Sequence, residues 1–249
     1  MPDLSKLLAE AYRTRTPFAY SPDMGPETLA QAYDIQLAVA QSMNATAVGW
    51  KSGVQDGGKT LFGAPILSPN LRADGGSWSI PAGQSIKIEV EIALRLGKDL
   101  PPRSGKPYTR EDILDTTEEV FAGIEIVGSR YSNLNEVQFL PRVADNFNQA
   151  GYVIGGGTKS FRSLDLSKLR SQLWIDGALA HDKVGGHGHG DPLIPVVAWA
   201  SGQADRLGGL RAGQFITTGT LNKPPSYGKA GRAEIEIEGL GRASVEFTQ

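Results

Sequence analysis

The chain has 249 residues, of which 40% are hydrophobic and 21% are charged, and its formal net charge is −2. These values describe an ordinary globular protein with one large domain. Lys and Arg are spread along the chain without a basic tract, so no nucleic-acid partner is expected. Cysteine is absent, which excludes disulfide scaffolds, thiolate catalysis and Cys-ligated zinc.

Hydropathy bears on the location of the protein. No stretch of the sequence approaches the ~18 consecutive apolar residues that a membrane span needs. The first residues, "MPDLSKLLAEAY", lack the basic start and the apolar core of a secretion signal. We therefore expect no membrane partner and a cytoplasmic location.

Helices are predicted for about the first 45 residues. One helix face is shared by Leu4, Leu7, Leu8 and Ala11. The segment "GPETLAQAYDIQLAVAQSM" then repeats its apolar residues at helical spacing, with Pro26 near its first turn. The glycine-punctuated segment "AVGWKSGVQDGGKTLFGAPILSP" follows and predicts a strand that enters a loop.

Strands dominate from residue 75 onward. The segments "GSWSIPAG" and "IKIEVEIALRL" come first, and the nearly all-apolar "FAGIEIVGSRY" predicts a buried strand. Between them, Thr109 to Asp112 fits a capping box ahead of a short helix through Val120.

Two hairpins and one more helix follow. "RSQLWIDGALAHDKV" predicts a hairpin with Asp176 and Gly177 at its turn, and "AEIEIEGLGRASVEF" predicts a closing hairpin. Between them we predict a helix with Asp191 as N-cap, Pro192 at its first position and Gly208 past its end. The segment "AGQFITTGT" then predicts a strand.

Short strands outnumber helices, and no alternation of strand and helix appears after residue 75. The sequence therefore predicts an α+β, β-rich fold with a helical N-terminal extension. We expect residues 1–74 to form this extension together with the loop that carries Lys51. Residues 75–249 should form the main domain, and the whole chain one compact unit.

The strand "IKIEVEIALRL", residues 86–96, carries two acids on one face. Alternation places Glu89 and Glu91 on the same side, opposite a row of apolar residues. Near the C-terminus, Glu234 and Glu236 alternate with isoleucines equally well. Because that second strand ends in a Gly-rich hairpin, we expect it at a solvated sheet edge. Alternation alone therefore does not show which of the two strands has acids with a functional role.

Glu125 distinguishes the first strand from the second. It lies in a run that otherwise predicts complete burial, and buried carboxylates seldom lack a partner. If its strand lies beside Glu89 and Glu91, three carboxylates converge, and each pair at ~5 Å costs roughly 3 kcal/mol at an effective dielectric of ~20. Such a cluster must bind a cation, take up protons or spread into water. Oxygen ligands suit Mg²⁺, Mn²⁺ or Ca²⁺ better than zinc.

These acids lie in segments that resemble a known family. "IEVEIALRLGKDL", "GIEIVGSRY" and "VADNFNQAGYVIGG" resemble the fumarylacetoacetate hydrolase superfamily, in particular its branch of 2-keto-4-pentenoate hydratases and 2-oxo-3-hexenedioate decarboxylases. The likeness runs from about Gly49 to the C-terminus. "GWKSG" is similar to the branch's G-[YFW]-K-x-G segment, and "GDPLIPVVAWAS", "LRAGQFITTGT" and "GLGRASVEF" fall in the expected order.

The resemblance implies a mixed β-roll or barrel, with Mg²⁺ or Mn²⁺ as the cofactor held by Glu89, Glu91 and Glu125. In this family the metal chelates the carboxylate and the 2-oxo or enol oxygen of a short oxo acid, which stabilises a dienolate. Lys51 matches the family's lysine near the substrate and is the predicted catalytic residue; an exposed loop lysine is the alternative. We also expect a homo-oligomer, a dimer or higher.

The same resemblance implies which residues bind the substrate. The candidates are Lys51, Ser52, Phe62, Asn148, Gln149 and Thr220. Two departures affect this part of the site. The branch has an acid in a D-[YF]-G triplet where this chain has LFG at 61–63, and it favours serines after "ADN" where this chain has FNQ at 147–149. The proton-transfer residue and the specificity therefore do not carry over.

The sequence also contains other candidate motifs. "HDKVGGHGHGDP" holds all three histidines, His181, His187 and His189. A His-x-His pair can bind a transition metal, but the glycines favour a surface or lid loop, and a substrate contact is the third alternative. "GGGTKS" lacks the glycine that a phosphate loop requires before its lysine. No G-x-S-x-G elbow supports a Ser nucleophile.

The sequence thus predicts a metal-dependent lyase, a hydratase that acts on a 2-hydroxy-dienoate or 2-oxo-enoate from aromatic-compound catabolism. The alternatives are a 2-oxo-3-hexenedioate-type decarboxylase, a C–C bond hydrolase or oxo-acid tautomerase of the same superfamily, and a non-catalytic β-rich binding protein. Stabilisation by Mg²⁺ or Mn²⁺ separates the enzymes from the binding protein. The mass of the product separates the reactions.

Overall fold

The computed structural model describes residues 3–55 and 59–249. Its α-helices are α1 (Leu4–Thr14), α2 (Leu29–Ser42), α3 (Arg110–Thr116), α4 (Phe139–Ala144) and α5 (Leu193–Gly202). Its strands are β1 (Ala47–Gln55), β2 (Thr60–Leu67), β3 (Leu71–Ala73), β4 (Gly76–Ser79), β5 (Ile86–Leu96), β6 (Thr117–Val127), β7 (Gln149–Thr158), β8 (Arg170–Ile175), β9 (Ala178–Val184), β10 (Phe215–Thr220), β11 (Ser226–Tyr227), β12 (Gly231–Ile237) and β13 (Gly241–Thr248).

The strands form two sheets. The larger has the order β2-β1-β10-β5-β6-β7-β3, with β11 beside β5, and it is antiparallel except at β1–β10 and β3–β7. The smaller has the order β4-β13-β12-β8-β9. Apolar residues of both sheets share one core, to which Ile88, Val90 and Ile124 contribute from the larger sheet and Ile235 and Val245 from the smaller. This core takes one face of β5 and β6, so their acids lie on the other face.

Helices α1, α2 and α4 pack together in a second core. It contains Leu8 of α1, Tyr33 of α2 and Val143 of α4, and Phe62 of β2 and Tyr131 join it. The predicted α+β, β-rich class and the helical N-terminal segment are therefore confirmed. No helix among residues 3–55 and 59–249 is long and apolar enough to span a bilayer.

Turn and cap motifs predicted from the sequence are confirmed where they are local. Asp176 and Gly177 have φ of 51° and 79°, as the tight turn of the β8–β9 hairpin requires. The β12–β13 pair forms the predicted closing hairpin. Thr109 and Asp112 form both hydrogen bonds of a capping box at the start of α3.

Two predicted helix ends are wrong because tertiary contacts set them. α3 ends at Thr116 and does not reach Val120, because the next residues pair with β5 as the start of β6. α5 ends at Gly202, before the predicted stop at Gly208. There the Gln203 side chain donates to the carbonyls of Leu100 and Ala200 and accepts the N–H of Leu210. These bonds replace a further helical turn.

Two predicted helix starts shift by a few residues. α2 begins at Leu29, after Pro26, because Thr28 is its N-cap and forms a capping box with Gln31. The N-cap of α5 is Pro192, one residue after the predicted Asp191. The Asp191 side chain still accepts the N–H of Leu193 at 3.0 Å.

The C-terminal acid-bearing strand is not an edge strand, contrary to expectation. β12 lies between β13 and β8 and pairs with both along its length. Its acids face solvent as predicted, since Glu234 pairs with Arg232, and Arg242 lies 2.6 Å from Glu236 on the surface. The solvated face therefore follows from the alternation, whereas the place in the sheet does not.

The division of the chain at residue 74 stays a prediction. Strands β1, β2 and β3, which precede that residue, join the larger sheet. Lys51 lies on β1 and not in a loop as predicted, because its backbone pairs with β2 and β10. Part of the predicted loop after it, residues 56–58, lies outside the described residues.

Candidate active site

Strand register brings three acids together. Glu89 lies directly opposite Glu125 in the antiparallel pair of β5 and β6, and Glu91 follows on the same face of β5. Carboxylate oxygens from the three residues all lie within 4.8 Å of one another. Glu91 and Glu125 are fully buried and Glu89 is half-buried. The acids singled out in the sequence thus form one cluster.

Each of the two buried acids keeps one oxygen without a hydrogen-bond partner. These are Oε1 of Glu91 and Oε2 of Glu125. The other oxygen of Glu91 accepts from the hydroxyl of Thr217, and that of Glu125 accepts from Lys51 Nζ at 2.6 Å. A buried charged oxygen without a partner is costly, so the arrangement fits a bound cation. Three carboxylates without nitrogen or sulfur donors fit a hard divalent ion.

Burial and mutual repulsion change the ionisation of this cluster. Burial, followed by the charges of Glu125 and Glu89, raises the pKa of the Glu91 carboxyl well above its ordinary value. Burial raises the pKa of Glu125 to about 7, although Lys51 acts in the opposite direction. Burial alone would lower the pKa of Lys51, but the three carboxylates raise it. Without a cation, Glu91 and Glu125 therefore hold a proton more readily than ordinary carboxyl groups, while Lys51 stays charged.

Two hydroxyl groups that sequence reasoning missed support the cluster. Tyr152 of β7 lies opposite Glu125 in the strand register, and its hydroxyl is 3.2 Å from that of Thr217. Thr217 of β10 lies opposite Lys51 of β1 and donates to Glu91. The sequence contained a weak signal, because "FITTGT" places adjacent threonines on opposite faces of one strand.

Two predicted substrate residues, Ser52 and Thr220, make no hydrogen bond to the three acids. Ser52 is buried with no partner for its hydroxyl, and alternation places it on the face of β1 opposite Lys51. Thr220 lies opposite Glu91 in the register, and its hydroxyl donates to the side-chain oxygen of Asn222 at 2.7 Å. Their roles stay predictions.

One departure from the family pattern contacts a residue that matches the pattern. Phe62 occupies the aromatic position of the D-[YF]-G triplet, and Leu61 stands where the triplet has its acid. The ring of Phe147 packs on that of Phe62 with 4.4 Å between centroids. Lys51 Nζ lies 5.8 Å from the centroid of Phe147. An aromatic ring therefore borders the lysine where the branch favours serines.

The histidines do not join the acids. His187 is buried, its Nε2 lies 2.9 Å from the carbonyl of Thr218, and burial lowers its pKa. His181 contacts Ser171 between β8 and β9. Within the described part of the chain, the cluster with metal-ligand geometry is that of the three glutamates.

Three converging carboxylates, a charged lysine and neighbouring hydroxyls on one sheet have the donor chemistry of a divalent-metal site. Residues 62–248 match the family model of the fumarylacetoacetate (FAA) hydrolase C-terminal domain. The chain belongs to this family, as the sequence predicted.

Comparison with individual proteins shows which members of the family this chain resembles. A 2-keto-4-pentenoate hydratase of Paraburkholderia phymatum is 32% identical over 257 residues, which cover 97% of this chain and 95% of the relative. A 2-hydroxyhexa-2,4-dienoate hydratase of Comamonas testosteroni is also 32% identical, with the same coverage of both chains. The structure of a 4-oxalocrotonate decarboxylase from Pseudomonas putida G7, complexed with magnesium and adipate, superposes with a TM-score of 0.84 at 25% identity. It covers 98% of this chain and 95% of that one, which confirms the predicted fold.

Proposed function

We propose that this chain is a divalent-metal-dependent hydratase that acts on a 2-hydroxy-dienoate or 2-oxo-enoate. One observation carries the proposal: two fully buried carboxylates each keep an unpartnered oxygen, beside a third carboxylate and a charged lysine. The 32% identity to hydratases over nearly the whole chain supports the reaction class.

Each residue of the site has a role in this proposal. Glu89, Glu91 and Glu125 would hold Mg²⁺ or Mn²⁺, which when bound supplies Lewis-acid stabilisation of negative charge on the substrate's oxygen. Lys51 keeps its positive charge against Glu125 and stabilises negative charge that develops on the substrate. Thr217 fixes the orientation of Glu91 through its hydrogen bond.

Two further residues complete the substrate site. The ring of Phe147, near Lys51 Nζ, limits the access of water to the lysine, and Phe62 packs against that ring.

The predicted cytoplasmic location and homo-oligomeric state stay predictions, and the oligomer can be tested by native mass spectrometry.

Decarboxylation is the second candidate. It is favoured by the superposition on the 4-oxalocrotonate decarboxylase, whose sequence counterpart from Pseudomonas putida is 27% identical over 232 residues. Higher identity to the hydratases places hydration first. Incubation with a panel of 2-hydroxydienoates and oxo diacids, followed by mass spectrometry, separates the two, since one product gains water and the other loses CO₂.

Metal binding is tested by Glu89→Gln, Glu91→Gln and Glu125→Gln. Each should weaken Mn²⁺ binding, measured by calorimetry, and should remove activity. The matched control is Glu236→Gln, which changes an acid of the solvent face of β12 and should do neither. Equal loss of activity in the folded control would contradict the assignment.

A further inference from the structure

The side-chain amide of Gln149 has no partner inside the protein. Gln149 is fully buried, and neither its Oε1 nor its Nε2 makes a hydrogen bond. Such a buried polar group costs about 1–3 kcal/mol when it is left unsatisfied. Each buried unsatisfied group in a folded protein calls for an explanation, and a ligand that supplies the missing bonds is one.

The amide lies on the same face of the sheet as the acids. Gln149 begins β7 and pairs in register with Val127 of β6, two residues beyond Glu125, after an irregularity in β7 between Gly151 and Gln149. Because β6 itself stays regular, Val127 and its partner Gln149 lie on the face of Glu125, about 7 Å further along the strand. The amide thus lies beyond the carboxylates, at the distance of the tail of an oxo acid whose head the metal would chelate.

The backbone that leads to this amide is strained. Asn146, Phe147 and Asn148 are three consecutive non-glycine residues in the left-handed region, with φ of 48°, 50° and 62°. Left-handed backbone costs roughly 1–2 kcal/mol for each such residue, and runs of it are rare. Asn148 also keeps a buried Oδ1 without a partner. Strain of this kind persists at functional sites when surrounding contacts impose it.

Arg130 supplies those contacts. Its Nη1 donates to the carbonyl of Gln149 at 2.8 Å and its Nη2 to the carbonyl of Asp145 at 2.7 Å, while its Nε pairs with the Asp145 carboxylate. The Tyr12 ring lies 4.3 Å from the guanidinium, and its hydroxyl reaches the Gln149 carbonyl at 3.4 Å. Arg130 therefore positions the backbone of Gln149 and leaves its side chain free.

The two cations of this part of the site already form ion pairs with acids. The cations that act on Glu125 are Lys51 and Arg130. Lys51 faces Glu125 itself, and Arg130 faces Asp145. A second carboxylate on the tail would therefore meet two cations that are already paired, together with the unpartnered oxygens of Gln149 and Asn148.

We propose that Gln149 and Asn148 form a subsite for a neutral group that both donates and accepts hydrogen bonds, a hydroxyl, on the tail of the oxo acid. A hydroxyl donates to an amide oxygen and accepts from Nε2 of Gln149, whereas a methyl group does neither and a carboxylate only accepts. The subsite selects against methyl and carboxylate tails. This inference rests on the proposed function and specifies its substrate class.

The test compares three six-carbon 2-oxo acids that differ at the tail: 2-oxohexanoate, 6-hydroxy-2-oxohexanoate and 2-oxoadipate. Oxalate probes the chelating half alone. Calorimetry on the Mn²⁺-loaded protein should show the hydroxyl acid binding about tenfold or more tightly than the other two. Gln149→Leu should remove this preference and leave oxalate affinity unchanged. Gln172→Leu, which changes an amide on the exposed face of β8, should keep the preference.

The outcomes separate the two proposals. If oxalate binds but wild type prefers the methyl or carboxylate tail, or shows no preference, the subsite is wrong and the proposed function stands. A preference that persists in Gln149→Leu also overturns the subsite. If neither oxalate nor any of the three acids binds wild type, the proposed function fails and the subsite fails with it. The preference of the wild-type protein among the three acids tests the subsite even if Gln149→Leu does not fold.

Discussion

Replacing Glu91 with Gln removes one negative charge from the buried cluster and keeps the side-chain volume. The carboxylate of Glu91 lies within 4.8 Å of those of Glu89 and Glu125. At an effective dielectric of about 20, each pair of charges repels by about 3 kcal/mol, and proton uptake relieves part of this. We expect Glu91→Gln to stabilise the metal-free protein by about 1–3 kcal/mol near pH 8, which for this chain length raises Tm by several degrees.

The gain should depend on pH. Burial raises the pKa of Glu91, and it raises that of Glu125 from 4.5 to about 7. Between pH 4.5 and about pH 7 the folded protein binds more protons than the unfolded chain. The free energy of unfolding of the metal-free wild type therefore falls as pH rises through this range. The stability of Glu91→Gln should therefore decrease less steeply with rising pH than that of the wild type. At pH 4, below the ordinary value of 4.5, Glu91 and Glu125 are mostly protonated in both states, and the two proteins should differ less in stability than at pH 8.

The assay is thermal unfolding in EDTA at pH 4 and pH 8, repeated at pH 8 with Mg²⁺ or Mn²⁺. An ion at 100 times its Kd should stabilise the wild type by about 2.7 kcal/mol, and Glu91→Gln by much less. Glu236→Gln should change little, because its ion pair with Arg242 is exposed. A lower Tm of Glu91→Gln in EDTA at pH 8, or an unchanged response to metal, would refute the reasoning.

Two further variants test the neighbours of the cluster. Lys51→Ala should bind Mn²⁺ at least as tightly as wild type, because a positive charge beside Glu125 is lost, but its kcat should fall. If steady-state kinetics show only a higher KM, Lys51 is a uniform binding contact. Arg130→Met leaves the Asp145 charge buried without its cation. It should lower the free energy of unfolding by about 3–5 kcal/mol, measured by urea denaturation. A loss below about 1 kcal/mol would show that Asp145 is neutral or solvated in the folded state.

The two acid-bearing strands show how much of the site the sequence can predict. Glu89 and Glu91 alternate with apolar residues as regularly as Glu234 and Glu236 do, yet Glu91 is fully buried and Glu236 is on the surface. The difference follows from Glu125, whose apolar neighbours predict burial and whose strand pairs with β5. An acid within an apolar run thus predicts a buried cluster, which the alternation of acids and apolar residues does not.

Local patterns predict where elements begin better than where they end. The capping box at Thr109 depends on residues three apart in sequence, and it marks the start of α3 correctly. The end of α3 depends on pairing between β5 and β6, and the end of α5 on bonds from Gln203 to Leu100, about a hundred residues away. Contacts at such separation leave no periodic trace in the sequence.

The left-handed run before β7 could not be predicted either, and it determines where Phe147 lies. Asn tolerates this conformation, but Phe147 adopts it because Arg130 and Asp145 fix the chain on either side. The same conformation stacks Phe147 on Phe62. Phe62 keeps the aromatic position of the branch's D-[YF]-G triplet, so the departure at 61–63 is Leu61, whereas FNQ at 147–149 replaces the serines that the branch favours. The contact near Lys51 therefore joins a ring that the branch also has to one that it lacks. The hydroxyl groups of those serines are replaced by amides, and in the proposed subsite the amide of Gln149 takes over the polar contact with the substrate.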